Sequence, residues 1–117
     1  MNWGLHLLIN CKSCDLTAIN DKDHILAFNK AIIERIGMTA HGAPQLEFLL
    51  PGESNEGYSL LQMITTSNIT AHFVSRTGDA YIDVFSCKDF DVRVAIQTVV
   101  EYFKPESYKP TIIGRRV

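Results

Sequence analysis

The segment YSLLQMITTSNITAHFVSRTGDAYIDVFSC, residues 58–87, decides the fold of this 117-residue chain. Apolar, β-branched and aromatic residues alternate with short polar breaks, and this composition predicts β-strands. Ser67-Asn68 is the expected reversal after the first strand, and Arg76-Thr77-Gly78-Asp79 has the glycine and aspartate that are typical of a hairpin turn. The segment therefore predicts three consecutive antiparallel strands, over 58–66, 69–74 and 80–86.

Two amphipathic helices flank this segment. Apolar residues recur at helical spacing from His24 to Ile36, and Gly37 follows where a helix cap is expected. Asp91 is a suitable cap for a second helix that continues to about Phe103. Short apolar runs predict further strands over 5–10 and 45–50 and a short edge strand around Ile112 and Ile113.

Clustered strands with two helices and no regular strand-helix alternation predict an α+β fold. We expect a two-layer sandwich, an antiparallel β-sheet with the two main helices packed on one face. Aromatic residues in or beside the strands make the other face apolar enough to form a homodimer. These residues are Trp3, Phe48, Tyr58, Phe73, Tyr81 and Phe85.

The length and charge of the chain limit its class. A chain of 117 residues with 46% hydrophobic side chains predicts a single domain, 1–117. With 11 basic against 13 acidic residues, the chain lacks the basic character of nucleic-acid-binding proteins. No apolar run approaches the roughly 20 residues that span a bilayer, and no secretory signal is recognisable. We expect a cytoplasmic protein that binds a small molecule or another protein.

The three cysteines are Cys11, Cys14 and Cys87, an odd count that does not suggest a disulfide framework. The Cys11-Lys12-Ser13-Cys14 spacing is compatible with half a zinc site or a redox pair. No second such pair and no close pair of histidines follows to complete four ligands. We therefore expect reduced thiols and no metal.

The most informative polar residues lie around Ser67. A four-residue turn at 76–79 would place Cys87 opposite Asn68, and thus beside Ser67. His72 and Ser59 would lie about 16 Å and about 26 Å from Ser67 along extended strands. A Ser/His/Asp triad of Ser67, His72 and Asp83 would rest on residue types alone, because the glycines of a nucleophile elbow are missing.

The chain resembles the small bacterial and archaeal S-adenosylmethionine decarboxylases. Their pattern is a serine strand, then Glu-Ser-His-Ile/Leu-Thr-Ile-His, then Tyr-x-x-Ile-Asp-x-Phe-x-Cys. The corresponding stretches here are Ser59, Thr66-Ser67-Asn68-Ile69-Thr70-Ala71-His72 and Tyr81-Ile82-Asp83-Val84-Phe85-Ser86-Cys87. Trp3-Gly4-Leu5-His6-Leu7-Leu8, Ile36-Gly37-Met38 and Gly42 to Pro44 are also similar to that family.

The resemblance implies a proenzyme that cuts itself between Thr66 and Ser67 into a β chain, 1–66, and an α chain, 67–117. Ser67 would become a pyruvoyl cofactor that forms a Schiff base with S-adenosylmethionine, as pyridoxal phosphate does in other decarboxylases. His72 would be the base for processing, Ser59 would position the intermediate, and Cys87 would return a proton after decarboxylation.

Three positions depart from the family pattern. Thr66 replaces a Glu, Asn68 replaces a His, and Arg76 stands where a Glu of the family binds the ribose of the substrate. Phe48 is the candidate for the aromatic residue that stacks on adenine. These departures leave open a pyruvoyl-dependent ornithine or arginine decarboxylase, or a regulatory homologue that does not cut itself. An unrelated α+β binding module is a further alternative.

The distance of Ser59 and His72 from Ser67 has one consequence for assembly. If these residues act on Ser67, a second copy of the chain must supply them. We therefore expect a homodimer with composite active sites.

Overall fold

The computed structural model describes residues 2–117 and has six strands and three helices. The strands are β1 (Gly4–Lys12), β2 (Gln45–Leu49), β3 (Gly57–Ile64), β4 (Ser67–Phe73), β5 (Ala80–Ser86) and β6 (Ser107–Arg115). The helices are α1 (Leu16–Ile19), α2 (Lys22–Arg35) and α3 (Val92–Phe103). The strands form one sheet in the order β2-β3-β4-β5-β1-β6, and each neighbouring pair is antiparallel. The predicted α+β sandwich is confirmed.

The core lies between one face of the sheet and helices α2 and α3. Phe103 of α3 contacts Phe28 of α2 and Phe73 of β4, with ring centroids 4.7 and 4.9 Å apart. Phe73 therefore belongs to the covered face, and so do Phe48 and Tyr58, although we expected all three on the open face. The open face carries alternate strand residues, and several of its apolar side chains are exposed. They include Leu61, Met63 and Tyr81.

The helix ends follow the sequence signals. Asp21 and Asp91 accept hydrogen bonds from backbone N–H groups in the first turns of α2 and α3. Gly37 has a φ of +72° directly after α2, as its predicted capping role requires. One helix, α1, was not predicted. Asp15 caps it within the expected loop 15–23.

Two turns differ from the prediction. The reversal between β3 and β4 is Thr65-Thr66, and Ser67 is already the first residue of β4. The loop between β4 and β5 closes at a bond from the Val74 N–H to the Asp79 carbonyl, 2.7 Å long. The turn therefore starts one residue earlier than predicted, and every pairing between β4 and β5 shifts by two residues.

Strand β6 is longer than the predicted short strand. It pairs with β1 over its whole length, from Gly4 opposite Arg115 to Lys12 opposite Ser107. All of its residues are exposed, and it lies at the edge of the sheet. Pro110 is tolerated here because an edge strand has one side free of ladder hydrogen bonds.

Gly4 allows β1 to lie against the end of β5. A Cβ atom at Gly4 would lie 2.2 Å from the Ser86 carbonyl oxygen and 2.8 Å from the Cys87 Cα. We expect Gly4→Ala to lower the free energy of unfolding by about 1–3 kcal/mol in urea titrations. Gly114→Ala is the matched control, because its Cβ would meet only the side chain of Asn2, which is exposed. Equal losses in both variants would contradict this prediction.

Candidate active site

Ser67 has a strained backbone. It follows the two-residue turn Thr65-Thr66 and pairs with Ile64 across the β3–β4 hairpin. Its φ is +147°, in a region that residues with a Cβ rarely adopt. Such strain persists only where the surrounding structure holds it, and it is concentrated at functional sites. The peptide bond between Thr66 and Ser67 therefore joins the turn to a residue with a strained backbone.

The carbonyl of that peptide bond is held by β5. The backbone N–H of Cys87 donates to the Thr66 oxygen at 2.8 Å. Cys87 is thus opposite Thr66, and the predicted pairing with Asn68 is wrong because the hairpin turn starts one residue earlier. The expected proximity to Ser67 is nevertheless found, since Ser67 pairs with Ser86, the residue before Cys87. The Cys87 side chain is exposed.

The Thr66 side chain is fixed by residues that sequence reasoning missed. Its hydroxyl donates to the sulfur of Met38 at 3.2 Å and accepts from the Ser86 hydroxyl at 3.0 Å. The Ser86 oxygen also accepts from the Lys88 N–H at 3.0 Å. The available signal for Ser86 was its position at the end of the predicted strand 80–86, one residue before Cys87. Together these contacts hold the turn before Ser67 against β5.

Ser59 and His72 form a second constellation. They are opposite each other on β3 and β4, and the Ser59 Oγ is 2.7 Å from the His72 Nδ1. The His72 Nε2 is 2.8 Å from the carbonyl oxygen of Asn55, which can only accept. In the neutral ring, Nε2 therefore carries the proton, and Nδ1 accepts from the Ser59 hydroxyl.

The two constellations lie at opposite ends of the β3–β4 hairpin. Ser59 pairs with His72, whereas Ile64 pairs with Ser67 next to the turn. Five residues of extended strand separate His72 from Ser67, which corresponds to about 16 Å. The separation predicted for His72 is confirmed. The about 26 Å predicted for Ser59 is too long, because the hairpin folds β3 back beside β4 and places Ser59 opposite His72. Within one chain, His72 therefore does not reach the Thr66–Ser67 bond.

Arg76 is paired with a carboxylate. Its guanidinium donates to the Glu56 Oε1 at 3.0 Å. This bond, with a second one from the Gly52 N–H, lowers the pKa of Glu56 below its usual value. Glu56 is therefore ionised at neutral pH. It is next to Asn55, whose carbonyl orients His72.

Phe48 lies on the other face of the sheet from Ser59 and His72. It is opposite Tyr58 on the edge strand β2, and the two rings pack edge to face with centroids 5.4 Å apart. Because side chains alternate along β3, Tyr58 and Phe48 share the face of the buried Leu60. The structure does not bring Phe48 together with the other candidate residues of one chain.

Cys11 and Cys14 are buried and interact with each other. The hydrogen bond between their sulfurs, together with burial, raises the pKa of Cys11, and the same bond lowers the pKa of Cys14. Cys11 is therefore the less acidic of the two thiols. Among residues 2–117, no group of three or more His, Cys, Asp or Glu side chains is arranged to hold a metal ion.

The length and hydropathy of the helices bear on membrane insertion. Across the described part of the chain, none of them combines the length and the apolar character needed to cross a bilayer.

Comparison with known proteins finds similar sequences in one family. Residues 5–116 match the family described as S-adenosylmethionine decarboxylase. A proenzyme of that name from Clostridium tetani is 33% identical over 91 residues, which are 75% of this chain and 66% of the relative. Another from Archaeoglobus fulgidus is 22% identical over 113 residues, 96% of each chain.

A solved structure shares the fold. The crystal structure of the adenosylmethionine decarboxylase from Aquifex aeolicus superposes with a TM-score of 0.84 at 19% sequence identity. The superposition covers 99% of this chain and 92% of that chain.

Proposed function

Because the chain belongs to the S-adenosylmethionine decarboxylase family, we propose that it decarboxylates S-adenosylmethionine with a pyruvoyl group made from its own Ser67. The product would be the aminopropyl donor for spermidine synthesis. The observation that carries this proposal is the bond from the Cys87 N–H to the Thr66 carbonyl, beside the strained Ser67. The experiment that tests it measures the release of labelled carbon dioxide from carboxyl-labelled S-adenosylmethionine. Ornithine and arginine are added as competing substrates.

Self-cleavage would begin at the Thr66–Ser67 bond. The Ser67 hydroxyl attacks the Thr66 carbonyl carbon, the bond to the Ser67 nitrogen breaks, and an ester replaces the peptide. Negative charge develops on the Thr66 oxygen in this step, and the Cys87 N–H donates to that same oxygen. The φ of Ser67 supports the proposal, since breaking this bond releases backbone strain. These features fit a pyruvoyl group at Ser67.

The second step of self-cleavage requires a base. Removal of the Ser67 α-proton breaks the ester and leaves Thr66 as a new carboxylate. The residue left at position 67 then loses ammonia by hydrolysis. His72 is suited to accept that proton through Ser59: the Ser59 oxygen takes the α-proton while its own hydroxyl proton passes to the unprotonated Nδ1 of His72.

His72 would act on the Ser67 of a second copy. The register places it about 16 Å from its own Ser67, so the two constellations meet only between chains. The exposed Leu61 and Met63 on the open face support a homodimer through this face. Such a dimer would have two composite active sites.

Decarboxylation would use the same end of the sheet. The pyruvoyl carbonyl supplies an electron sink when carbon dioxide leaves. The exposed thiol of Cys87 is next to Thr66 and would return a proton to the substrate carbon. Three free cysteines, Cys11, Cys14 and Cys87, support a reducing compartment, and we place the enzyme in the cytoplasm.

Substrate recognition would involve Glu56. The family uses a Glu for ribose at the position of Arg76, and here Glu56 brings a carboxylate to Arg76 at 3.0 Å. An ionised carboxylate accepts hydrogen bonds from two adjacent hydroxyl groups. Since Glu56 also neutralises Arg76, the cation at this position does not argue against a nucleoside substrate. Phe48 lies on the covered face, away from the proposed dimer interface, so we do not assign it the adenine-stacking role.

Replacement of Cys87 would separate self-cleavage from decarboxylation. Cleavage uses the backbone N–H of Cys87, whereas decarboxylation uses its thiol. We therefore expect Cys87→Ala to be cut normally but to lose about 10²- to 10⁴-fold in kcat, measured by carbon dioxide release. Cys87→Ser preserves the size of the side chain and tests whether thiol chemistry is needed. A Cys87→Ala chain that remains intact would contradict this division of roles.

A further inference from the structure

Arg115 lies at the same end of the sheet as Ser67. Adjacent strands place Ser67, Ser86, Leu5 and Gly114 in one row across β4, β5, β1 and β6. Arg115 is the next residue and pairs with Gly4. The backbone at this corner is fixed by a bond from the Trp3 N–H to the Arg115 carbonyl, 2.7 Å long.

The side chain of Arg115 extends back across the sheet toward β4. Its guanidinium carbon lies 4.9 Å from the centre of the Phe85 ring on β5. Phe85 is directly opposite Asn68, the residue after Ser67. Neighbouring strands are about 4.8 Å apart. The positive charge thus ends one strand away from the residue that the pyruvoyl proposal makes reactive.

No carboxylate within the described part of the chain neutralises this guanidinium. Among residues 2–117, no acidic group lies within 4.0 Å of Arg115, whereas Arg35, Arg76 and Arg93 each have an acidic partner. Asp83 is the carboxylate on the open face of β5, and its Oδ1 lies 3.4 Å from the Nε2 of His6. A guanidinium that stacks on an aromatic ring keeps its N–H edge available for a two-point bond to a carboxylate.

A cavity lies beside the guanidinium. Its volume is about 390 Å³, and Trp3, Arg115, Arg116 and Val117 line it. The Trp3 ring also contacts Phe85, with centroids 6.0 Å apart. The site therefore combines the Phe85 ring, which supports the guanidinium, with an adjoining cavity. The Arg115 cation has no acidic partner among residues 2–117.

We propose that Arg115, supported by Phe85, binds the α-carboxylate of the substrate. This assignment rests on the proposed function, because the substrate amine must reach the group made from Ser67. The carboxylate is attached to the same carbon as that amine, so it must lie near Ser67 as well. Arg115 would fix the direction of the carbon–carboxylate bond, and it would serve any α-amino acid substrate of this site.

The test compares ligands with and without the carboxylate. In Arg115→Ala we expect KM for S-adenosylmethionine to rise roughly 10- to 100-fold, the usual range for losing a charged hydrogen bond. Inhibition by the decarboxylated nucleoside amine, which lacks the carboxylate, should change less than about 2-fold, because Arg115 does not contact it. Arg115→Lys should restore part of the loss. Arg93→Ala, which changes an arginine near the start of α3, is the matched control.

The outcomes separate this inference from the function it rests on. Equal weakening of both ligands, or no change in KM, would overturn the role of Arg115 while the native enzyme remains active. A native chain that neither cuts itself nor releases carbon dioxide would overturn the proposed function and this assignment together. Mass spectrometry of Arg115→Ala should show normal cleavage, which confirms that the variant folds.

Discussion

Ser67→Ala is expected to remain in one piece and to lose decarboxylation by ~10⁴-fold or more, the scale seen when an essential nucleophile is removed. The native chain should separate into fragments 1–66 and 67–117, the second with a pyruvoyl group at its start. The reason is chemical: alanine has no hydroxyl to attack the Thr66 carbonyl and cannot form the cofactor. Intact mass spectrometry under denaturing conditions distinguishes the two chains directly.

A matched serine variant controls for handling and folding. Ser54→Ala changes an exposed serine in the loop before β3 and should be cut like the native chain. If the native chain also stays intact, self-cleavage and the pyruvoyl cofactor are both wrong, and a regulatory homologue becomes the better interpretation. If Ser67→Ala is cut, the break lies elsewhere or another enzyme makes it.

The architecture could be predicted because its signals are local. Helical periodicity identified α2 and α3, and an aspartate capped each at the expected position. The β4–β5 register could not be fixed in the same way. Turns at 75–78 and 76–79 both contain Gly78, whose φ of +83° suits either. A one-residue change in the turn shifts each partner by two and preserves the face, so Cys87 remained near Ser67.

The position of Ser67 was harder to predict. Two consecutive threonines favour a strand, because β-branched residues fit a pleated sheet. In the fold they form the turn instead, held by bonds from the Thr65 N–H to the Thr39 carbonyl and from the Cys87 N–H to the Thr66 carbonyl. These contacts link residues far apart in sequence, which local propensity does not describe.

The pairing of Ser59 with His72 follows from the same turn. Once the reversal is placed at Thr65-Thr66, counting back along both strands puts the two residues opposite each other. The ion pair between Arg76 and Glu56 could not be inferred from the sequence in this way. Glu56 reaches it from a separate loop, and nothing in the spacing of charges indicates that contact.

Co-expression of two inactive variants is expected to restore self-cleavage in one of them. A mixed dimer of Ser67→Ala and His72→Ala contains one complete site, made by Ser67 of the second variant and His72 of the first. We therefore expect the His72→Ala chain to be cut and the Ser67→Ala chain to stay intact in dimers purified through two different tags. Decarboxylation per dimer should be about half the native value, because one of two sites is complete.

A second pair of variants provides the control. Ser59 and His72 are 2.7 Å apart in one chain, so both must come from the same copy. Ser59→Ala mixed with His72→Ala therefore supplies no copy with both groups, and neither chain should be cut faster than the faster of the two variants alone. Restoration by this second pair would show that the two residues act separately. An uncut His72→Ala chain in the first pair would mean that no partner supplies the base, and the composite site would then be wrong.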